Sequence, residues 1–442
     1  MILRVVKAIL ITVALCLLFP AAALGYEIPQ IIRVGLESRY MGADKIDILN
    51  GDISLGYGTD TGRGQYGVFT AGSGFSVRVS DGQAVLYDGS AVVAVLQSGD
   101  NIAGVGEPIN LGERRYRGAI EFRVSGLMLM AVNCLTIEEY LYSVVPSEMP
   151  QAWHIEALKA QAVAARSYAM TRLSAHRDQG YHFCDRVHCQ NYLGAGNEAE
   201  RTTMAVNATA GVIAYHNGAP IHAVYSSSNG GYSSASEDTW SEAVPYLRPI
   251  EDAYEISGKQ WERSFTLPQI QLLLTEDIGS VMSVYIGKTA PSGRVLELII
   301  EGTYGSKTLT KEGIRTFFSH SGGGMLESTN FIMRDVNMPE ASGPVYVAGV
   351  DSVAQKLFMD LYILTAGGES VHVPSTVTVV GKDSSMVYGA SGGSQQGSMV
   401  VFTGRGWGHG AGMSQFGAKD MAEAGFDYVQ ILKYYYTGIE VG

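Results

Sequence analysis

One glutamate stands in an unusually stiff and apolar stretch of the sequence, VVPSEMPQAW from Val144 to Trp153. Pro146 and Pro150 flank Glu148 and restrict the backbone on both sides of it. Apolar surroundings disfavour the charged form of a carboxyl group and raise its pKa, which suits a general acid. The alternative interpretation is a carboxylate at the start of a helix, stabilised by the positive end of the helix dipole.

Cysteine and histidine are concentrated in a second stretch, YHFCDRVHCQNYLG from Tyr181 to Gly194. Cys184, His188 and Cys189 lie within six residues of one another, and His182 is close by. Thiolate and imidazole are ligands that zinc prefers, and three protein ligands would leave one position open. Three other uses remain open at this stage: a Cys184–Cys189 disulfide, a buried thiol beside an incidental histidine, and a cysteine nucleophile paired with histidine.

Glycine occupies every second position from Gly404 to Gly412, within GRGWGHGAGMSQFGA. The segment lacks the Gly-Lys-Ser/Thr of a phosphate-binding loop and the spacing of a dinucleotide fingerprint. Alternating glycines allow close backbone approach, so that Trp407 and His409 would face a sugar or a partner. The alternative is a tight glycine bulge with a packed tryptophan.

Two predicted helices would position Glu148. The first, TIEEYLYSVV, opens with the capping-box pair Thr136 and Glu139 and should end before Pro146. The second, QAWHIEALKAQAVAARSYAMTRL, is rich in alanine and follows Pro150, which suits a first helical turn.

Three long side chains stand out on the alanine-rich helix: Gln161, Arg166 and Tyr168. We hypothesise that they orient Glu148 or, given the family resemblance described below, the N-acetyl groups of a substrate. A buried arginine on such a surface requires a carboxylate or another oxygen partner.

The remaining pattern predicts an α+β fold. Short strands separated by turn signals run from Ile31 to about Val132, and VMSVYIGKTAPSGRVLELIIEG predicts a hairpin. LTKEGIRTFF predicts the start of a short helix. The C-terminus is helical again, with one helix stopping at Gly425 and another running from an Asp427 cap to Gly438.

The start of the chain predicts export. Arg4 and Lys7 precede an apolar run from Ala8 to Phe19, which is typical of a signal peptide or, if uncleaved, a membrane anchor. The 442 residues carry a formal net charge of -12 with no basic cluster, which argues against nucleic acid as a partner. We therefore expect an extracytoplasmic protein.

Composition and pattern, together with the extent of the family resemblance described below, divide the chain into five predicted segments. They are a signal peptide or anchor at 1–25, a β-rich region at 26–115, a mixed catalytic core of short strands and glycine turns at 116–335, an insertion or subdomain at 336–400, and a helical end of the core at 401–442.

Several motifs in fixed order resemble the SpoIID/LytB domain of stage II sporulation protein D, a family of peptidoglycan lytic transglycosylases and amidase enhancers. The motifs are VVPSEMPQAWHIEALKAQAVAARSYA, CDRVHCQNYLG, SSSNGGYSSASEDTW, PYLRPIED and GRGWGHGAGMSQFGAKDMAEAGFDYVQILKYYYTGIEV. The resemblance runs from roughly Tyr116 to the C-terminus and thins between Asp335 and Met399.

The resemblance implies a substrate, a partner and a site. The substrate would be cell-wall glycan strands stripped of stem peptides by a partner amidase. Glu148 matches the family's catalytic glutamate, and the zinc site of some members maps onto Cys184, His188 and Cys189. Further candidate substrate contacts follow from our own assignment: Ser227, Ser228 and His409.

Two functions from different classes remain after the resemblance. A lytic transglycosylase needs one carboxyl group, which protonates the glycosidic oxygen and then deprotonates the sugar's own 6-hydroxyl, whereas glycoside hydrolases usually need two. A non-catalytic amidase enhancer would instead bind the wall and stimulate an amidase. A cysteine peptidase is a distant third hypothesis.

Overall fold

The computed structural model describes residues 28–59, 62–321, 324–336 and 399–442, together with the backbone of six short strands between residues 345 and 389. The predicted leader at 1–25 lies outside the described residues. In the described part, no helix has the length and apolar character needed to cross a bilayer.

Both helices and sheets are present, which confirms the predicted α+β class. The helices are α1 Glu37–Tyr40, α2 Ile137–Glu148, α3 Ile155–Thr171, α4 Glu200–Ala208, α5 Ser236–Thr239, α6 Leu267–Leu273, α7 Glu312–Phe317, α8 Gln415–Glu423 and α9 Tyr428–Tyr435. Short 3-10 turns cover Arg177–Gln179, Ala195–Asn197 and Phe318–Ser321.

The strands are short and numerous, as the glycine-rich sequence predicts. The strands before residue 230 are β1 Ile32–Gly35, β2 Met41–Ala43, β3 Lys45–Ile48, β4 Asp52–Thr59, β5 Gly62–Thr70, β6 Phe75–Ser80, β7 Gln83–Asp88, β8 Ala91–Leu96, β9 Asp100–Gly104, β10 Ile109–Leu111, β11 Arg114–Tyr116, β12 Ala119–Ser125, β13 Met128–Leu135, β14 Phe183–Cys184, β15 Ala214–His216, β16 Ala219–Pro220 and β17 Tyr225–Ser226. The later strands are β18 Gln260–Thr266, β19 Val281–Thr289, β20 Val295–Gly302, β21 Ser306–Thr310, β22 Phe331–Val336, β23 Val345–Ala348, β24 Val353–Lys356, β25 Tyr362–Leu364, β26 Ser370–His372, β27 Thr376–Val380, β28 Ser385–Gly389, β29 Met399–Arg405, β30 Met413–Ser414 and β31 Glu440–Val441.

The chain forms two compact units. Unit 1 comprises the chain up to Glu237, Glu242–Gly258 and Gly410–Gly442. Unit 2 comprises Asp238–Ser241 and Lys259–His409. The five segments drawn from sequence remain predictions.

Unit 1 contains two large sheets, the small sheets β16-β15-β31 and β17-β30, and a group of helices. One large sheet has the strand order β14-β1-β13-β12-β9-β4-β5, with β2 also paired to β13, and the other has the order β11-β10-β3-β6-β7-β8. The alternating apolar residues of these strands meet in one core, and α3, α8 and α9 contribute to a second. These helices carry the residues around Glu148.

Unit 2 is built on hairpins. The predicted hairpin is confirmed as β19 and β20, and β18 and β22 flank β29 in a separate sheet. A cluster of phenylalanines that includes Phe265, Phe318 and Phe402 fills its core, with ring centroids of Phe265 and Phe318 4.6 Å apart. The predicted helix after Lys311 is confirmed as α7.

Helix boundaries differ from the sequence-based predictions at four places. Helix α2 continues through Pro146 to Glu148, and α3 begins at Ile155 with His154 as its N-cap instead of directly after Pro150. The two C-terminal helices end earlier than predicted, at Glu423 and Tyr435. The Asp427 cap itself is confirmed, since its side chain accepts a hydrogen bond from the Gln430 N–H at 2.8 Å.

Candidate active site and metal centre

Glu148 is the last residue of α2. The predicted capping box at the other end is confirmed: Thr136 accepts from the Glu139 N–H and the Glu139 carboxylate accepts from the Thr136 N–H. Pro146 lies in the last turn, where it lacks the N–H that would donate to the Tyr142 carbonyl. The interpretation of Glu148 as a helix-start carboxylate is wrong, because Glu148 ends α2 and His154 is the residue that caps α3.

Burial raises the pKa of the Glu148 carboxyl above its ordinary value, and a hydrogen bond from Gln415 opposes that rise. Desolvation destabilises the charged form, whereas an amide N–H pointing at the carboxylate stabilises it. Because the effect of burial is the larger of the two, the Glu148 carboxyl group stays protonated to a higher pH than an ordinary glutamate. Neither of the two influences comes from a second carboxylate.

Gln415 joins Glu148 to the alanine-rich helix. Its Nε2 donates to Oε2 of Glu148 at 3.3 Å and to Oε1 of Gln161, also at 3.3 Å. Both glutamines are buried, and Nε2 of Gln161 has no hydrogen-bond partner. Sequence reasoning identified Gln161 but missed Gln415.

The start of α8 fixes the position of Gln415. Strands β17 and β30 pair in parallel, with Ser226 opposite Ser414, and Ser414 then caps α8 by accepting from the Gly417 N–H at 3.1 Å. A Cβ at Gly417 would lie 1.9 Å from the Tyr435 hydroxyl, so the helix requires glycine there. The SQFGA motif thus places Gln415, the first residue of α8, beside Glu148.

Two tyrosines lie within electrostatic reach of Glu148. Burial raises the pKa of Tyr168 and of Tyr225, and the charge of Glu148 raises both further. Cys184 and Cys189 also raise the pKa of Tyr168, so its phenol lies within electrostatic reach of both the carboxyl group and the cysteines. This arrangement agrees with the hypothesis that Tyr168 lies at the site. The Tyr225 hydroxyl accepts from Nε2 of Gln190 at 2.9 Å.

Arg166 has no hydrogen bond to Glu148 and is too deeply buried for a substrate to reach it, so the hypothesis of a direct contact is corrected. Its side chain is wholly buried and forms a two-point ion pair with Glu138, with Nε at 3.0 Å and Nη2 at 2.5 Å from the two carboxylate oxygens. Its Nη1 donates to the Val212 carbonyl at 2.9 Å. The expected carboxylate partner of a buried arginine is confirmed, and its role is to join helices α2 and α3 to the chain after α4.

Ser228 is also corrected. Its hydroxyl is buried and donates to the Glu255 carboxylate, which also accepts from Ser414 Oγ at 2.6 Å and from the Asn229 N–H at 3.0 Å. The hydroxyl-rich loop is therefore organised around a buried carboxylate. Ser227 is only partly buried, and its carbonyl accepts from the Phe416 N–H at 3.0 Å, so it remains a predicted contact.

His409 belongs to unit 2. Its ring contacts the Trp240 ring, with centroids 5.0 Å apart and planes inclined at 55°. Its assignment as a substrate contact remains a prediction.

Four side chains of unit 1 form a cluster whose composition suits a metal ion: His176, Cys184, His188 and Cys189 each offer one ligand atom, and these atoms lie within 4.8 Å of one another. Cys189 Sγ lies 3.3 Å from Nε2 of His176 and 3.5 Å from Nδ1 of His188. A tetrahedral zinc ion with ordinary bond lengths separates sulfur from nitrogen by about 3.5 Å. The cluster therefore fits zinc.

His176 is the member of this cluster that sequence reasoning missed. It lies in the loop after α3, eight residues before Cys184, and its other ring nitrogen, Nδ1, lies 2.5 Å from Oε1 of Gln179. Such an outer hydrogen bond fixes the ring of a metal-binding histidine. His182, which lies closer in sequence, is turned away and accepts from the Arg33 N–H at 3.1 Å.

The cysteines are free and buried, so the structure does not contain the alternative Cys184–Cys189 disulfide. Burial raises the pKa of the Cys184 thiol to about 11. A thiol with so high a pKa is a poor nucleophile, which argues against a cysteine peptidase.

Comparison with known proteins agrees with this site. The family profile described as stage II sporulation protein matches residues 126–216, which hold α2, α3 and the metal-type cluster. A profile described as a domain of unknown function, DUF8618, matches residues 257–349.

Two curated relatives cover both parts of the chain. The amidase enhancer of Bacillus subtilis is 32% identical over 305 residues, which are 67% of this chain and 39% of that protein. Stage II sporulation protein D of the same organism is 26% identical over 330 residues, which are 70% of this chain and 76% of that protein. These comparisons confirm the resemblance to the SpoIID/LytB family, and the chain spans about two fifths of the length of the amidase enhancer that it matches.

Proposed function

We propose that the protein is a lytic transglycosylase of peptide-stripped peptidoglycan and that Glu148 is its acid and base. The observation that carries the proposal is the carboxyl group of Glu148, which burial holds towards its protonated form while the Gln415 amide faces its oxygen.

The proposed reaction needs this one carboxyl group. Protonated Glu148 gives its proton to the oxygen between muramic acid and the next glucosamine, and the bond from that oxygen to C1 breaks. The resulting carboxylate then takes the proton of the muramic acid's 6-hydroxyl, and the oxygen of that hydroxyl bonds to C1. The products carry a 1,6-anhydro ring, Glu148 is protonated again, and no water is consumed.

The surroundings of Glu148 support both half-reactions. Burial favours the acid that starts the reaction, and the Gln415 amide stabilises the carboxylate that forms midway. A glycoside hydrolase usually requires a second carboxylate as nucleophile or base. Burial and the Gln415 amide account for the direction of the Glu148 pKa shift, and the proposed transglycosylase needs no carboxyl group besides this one.

We also propose that His176, Cys184, His188 and Cys189 bind zinc. Four protein ligands fill a tetrahedral coordination shell, so the ion would be structural, in place of the open three-ligand site expected from sequence. When bound, the ion would cross-link the loop after α3 to the segment around β14, which lies beside Tyr168.

A second candidate function is supported by the 32% identity to an amidase enhancer. In that case the protein binds the wall and stimulates an amidase, and Glu148 has no chemical task. Under both functions we propose an extracytoplasmic location at the wall, secreted or anchored, with peptidoglycan glycan and a cell-wall amidase as partners.

Mass spectrometry of products from peptide-free glycan strands tests the proposal. The purified protein should release ends lighter by one water than hydrolysed ends, and Glu148→Gln should release none. Glu200→Gln, which changes an exposed glutamate at the start of α4, is the matched control. If amidase stimulation survives in Glu148→Gln and the unaltered protein yields no anhydro ends, the protein is an enhancer.

A further inference from the structure

Unit 2 carries an exposed group of aromatic and cationic side chains, which we call the tryptophan–lysine surface: Trp240, Lys259, Lys311, Trp407 and His409. Trp407 is 44% exposed and Trp240 is 38% exposed. The Nζ of Lys259 lies 4.5 Å from the centre of the Trp407 ring, and the Lys311 ammonium donates to the Trp240 carbonyl. The Trp240 and His409 rings are in contact.

The backbone holds Trp407 at the surface. The glycines on either side of it, Gly406 and Gly408, have φ values of 84° and 108°, which side chains rarely adopt. The Gly406 N–H donates to the Lys259 carbonyl and the Gly408 N–H donates to the Glu327 carbonyl, both at 2.7 Å. The alternating glycines thus hold the Trp407 indole ring where solvent reaches it. An apolar ring left exposed in this way contributes little hydrophobic stabilisation to the fold.

Lys311 is held in an equally unusual conformation. Its φ of 52° and ψ of -131° lie in a region that is strained for a residue with a Cβ. Strain of this kind persists where the surrounding structure imposes it and is concentrated at functional sites. Here it accompanies an ammonium group placed beside an exposed indole.

We propose that the tryptophan–lysine surface binds glycan strands that bear free lactyl carboxylates. The inference rests on the proposed function only for the identity of the ligand. Indole faces suit the C–H faces of pyranose rings, and tryptophan offers a large contact area at low entropic cost. When an amidase removes a stem peptide, it leaves one carboxylate on each muramic acid, which the lysines complement.

The charge of the rest of the molecule makes this pairing selective. The chain has a net charge of -12, so an anionic polymer would be repelled from most of it. A glycan with intact stem peptides lacks the lactyl carboxylate, because that group is then an amide. The surface would therefore favour stripped strands over unprocessed ones.

Binding can be measured without turnover in the full-length Glu148→Gln protein, by titrating peptide-free strands and following tryptophan fluorescence or heat. Trp407→Ala should weaken binding about tenfold or more, as for a central aromatic contact. Lys259→Gln should weaken it severalfold and reduce its dependence on salt. Two exposed residues of unit 2 supply the controls, Tyr304→Ala and Lys288→Gln, and neither should change the affinity.

Two further ligands test the chemistry. Strands whose lactyl carboxylates have been converted to amides should bind several times more weakly than untreated strands. Equal affinity for both, or unchanged affinity in a folded Trp407→Ala protein, would overturn the proposal. So would a single-stranded oligonucleotide that binds as tightly as the glycan. Failure to find anhydro products would refute the proposed reaction and leave these binding results intact.

Discussion

Nε2 of Gln415 donates to Oε2 of Glu148 at 3.3 Å, although 267 residues separate the two in sequence. The same amide group is held by Oε1 of Gln161. A buried carboxyl group facing a fixed amide donor is stabilised as an anion without acquiring a counter-charge. This balance is what a group needs if it is to release a proton and take one back.

Gln415→Met keeps most of the side-chain volume and removes the donor. Because the amide lowers the pKa of Glu148, its loss should raise that pKa further. The alkaline limb of the kcat/KM profile should then move to higher pH, and kcat should fall about tenfold, since the carboxylate intermediate loses its support. A pH series on peptide-free strands measures both effects.

Gln161→Met provides the graded comparison for that experiment. Gln161 touches Gln415 but has no hydrogen bond to Glu148 in the structure, so its loss should shift the profile in the same direction by a smaller amount. A profile that stays in place in Gln415→Met would show that this amide does not control the acid.

Glu148→Gln should stabilise the protein while removing its activity. The pKa of Glu148 is raised on folding, so its contribution to stability is fully present below the ordinary pKa of 4.5 and is lost as pH rises through the folded value. Glutamine cannot ionise and escapes that loss. The Tm of Glu148→Gln should exceed that of the unaltered protein at pH 8, and the difference should vanish near pH 4.

Local features of this site could be predicted from sequence. The capping box of Thr136 and Glu139 depends on residues three apart, and the alanine-rich helix depends on intrinsic propensity. The sequence could predict that Arg166 has a carboxylate or another oxygen partner, because a buried guanidinium requires one. Glu138 itself could not be named, since its pairing depends on the packing of α2 against α3.

The residues that were missed depend on tertiary structure. Gln415 reaches Glu148 only because β30 pairs with β17, and His176 reaches the cysteines only because the loop after α3 turns back. Neither position carries a periodic or spacing signal. The end of α2 was misplaced for a different reason: the buried residues Val144 and Val145 keep the chain helical up to Glu148 although Pro146 removes one helical hydrogen bond.

Arg166→Met should destabilise unit 1 without altering the acid. The substitution leaves Glu138 without its two-point partner and leaves the Val212 carbonyl without its donor, at a cost of about 3 kcal/mol in the free energy of unfolding. Urea unfolding measures this loss. Lys159→Met, which breaks the more exposed pair with Glu156, should cost about 1 kcal/mol or less.

The position of the alkaline limb should be unchanged in folded Arg166→Met, because Arg166 has no part in the pKa of Glu148. A shifted profile with normal stability would contradict the structural role assigned to this arginine.

The metal-type cluster predicts a specific loss of zinc. Cys189→Ala and His176→Ala should each reduce the zinc content of the purified protein well below one ion per chain, since each removes one of four ligands. Cys134→Ala is the matched control, because Cys134 is also a buried thiol outside any disulfide but is not one of the four proposed ligands. Mass spectrometry of dissolved metals gives the content directly.

Removal of zinc by a chelator should lower the stability only of those proteins that bind the ion. Removal of a structural ion should lower the Tm of the unaltered protein and of Cys134→Ala by similar amounts, and readdition of zinc should restore it. Cys189→Ala should already have the lower Tm and should not respond to chelator. If His176→Ala keeps a full zinc ion and the unaltered Tm, the site has three ligands, and the fourth position would then be open to water or substrate.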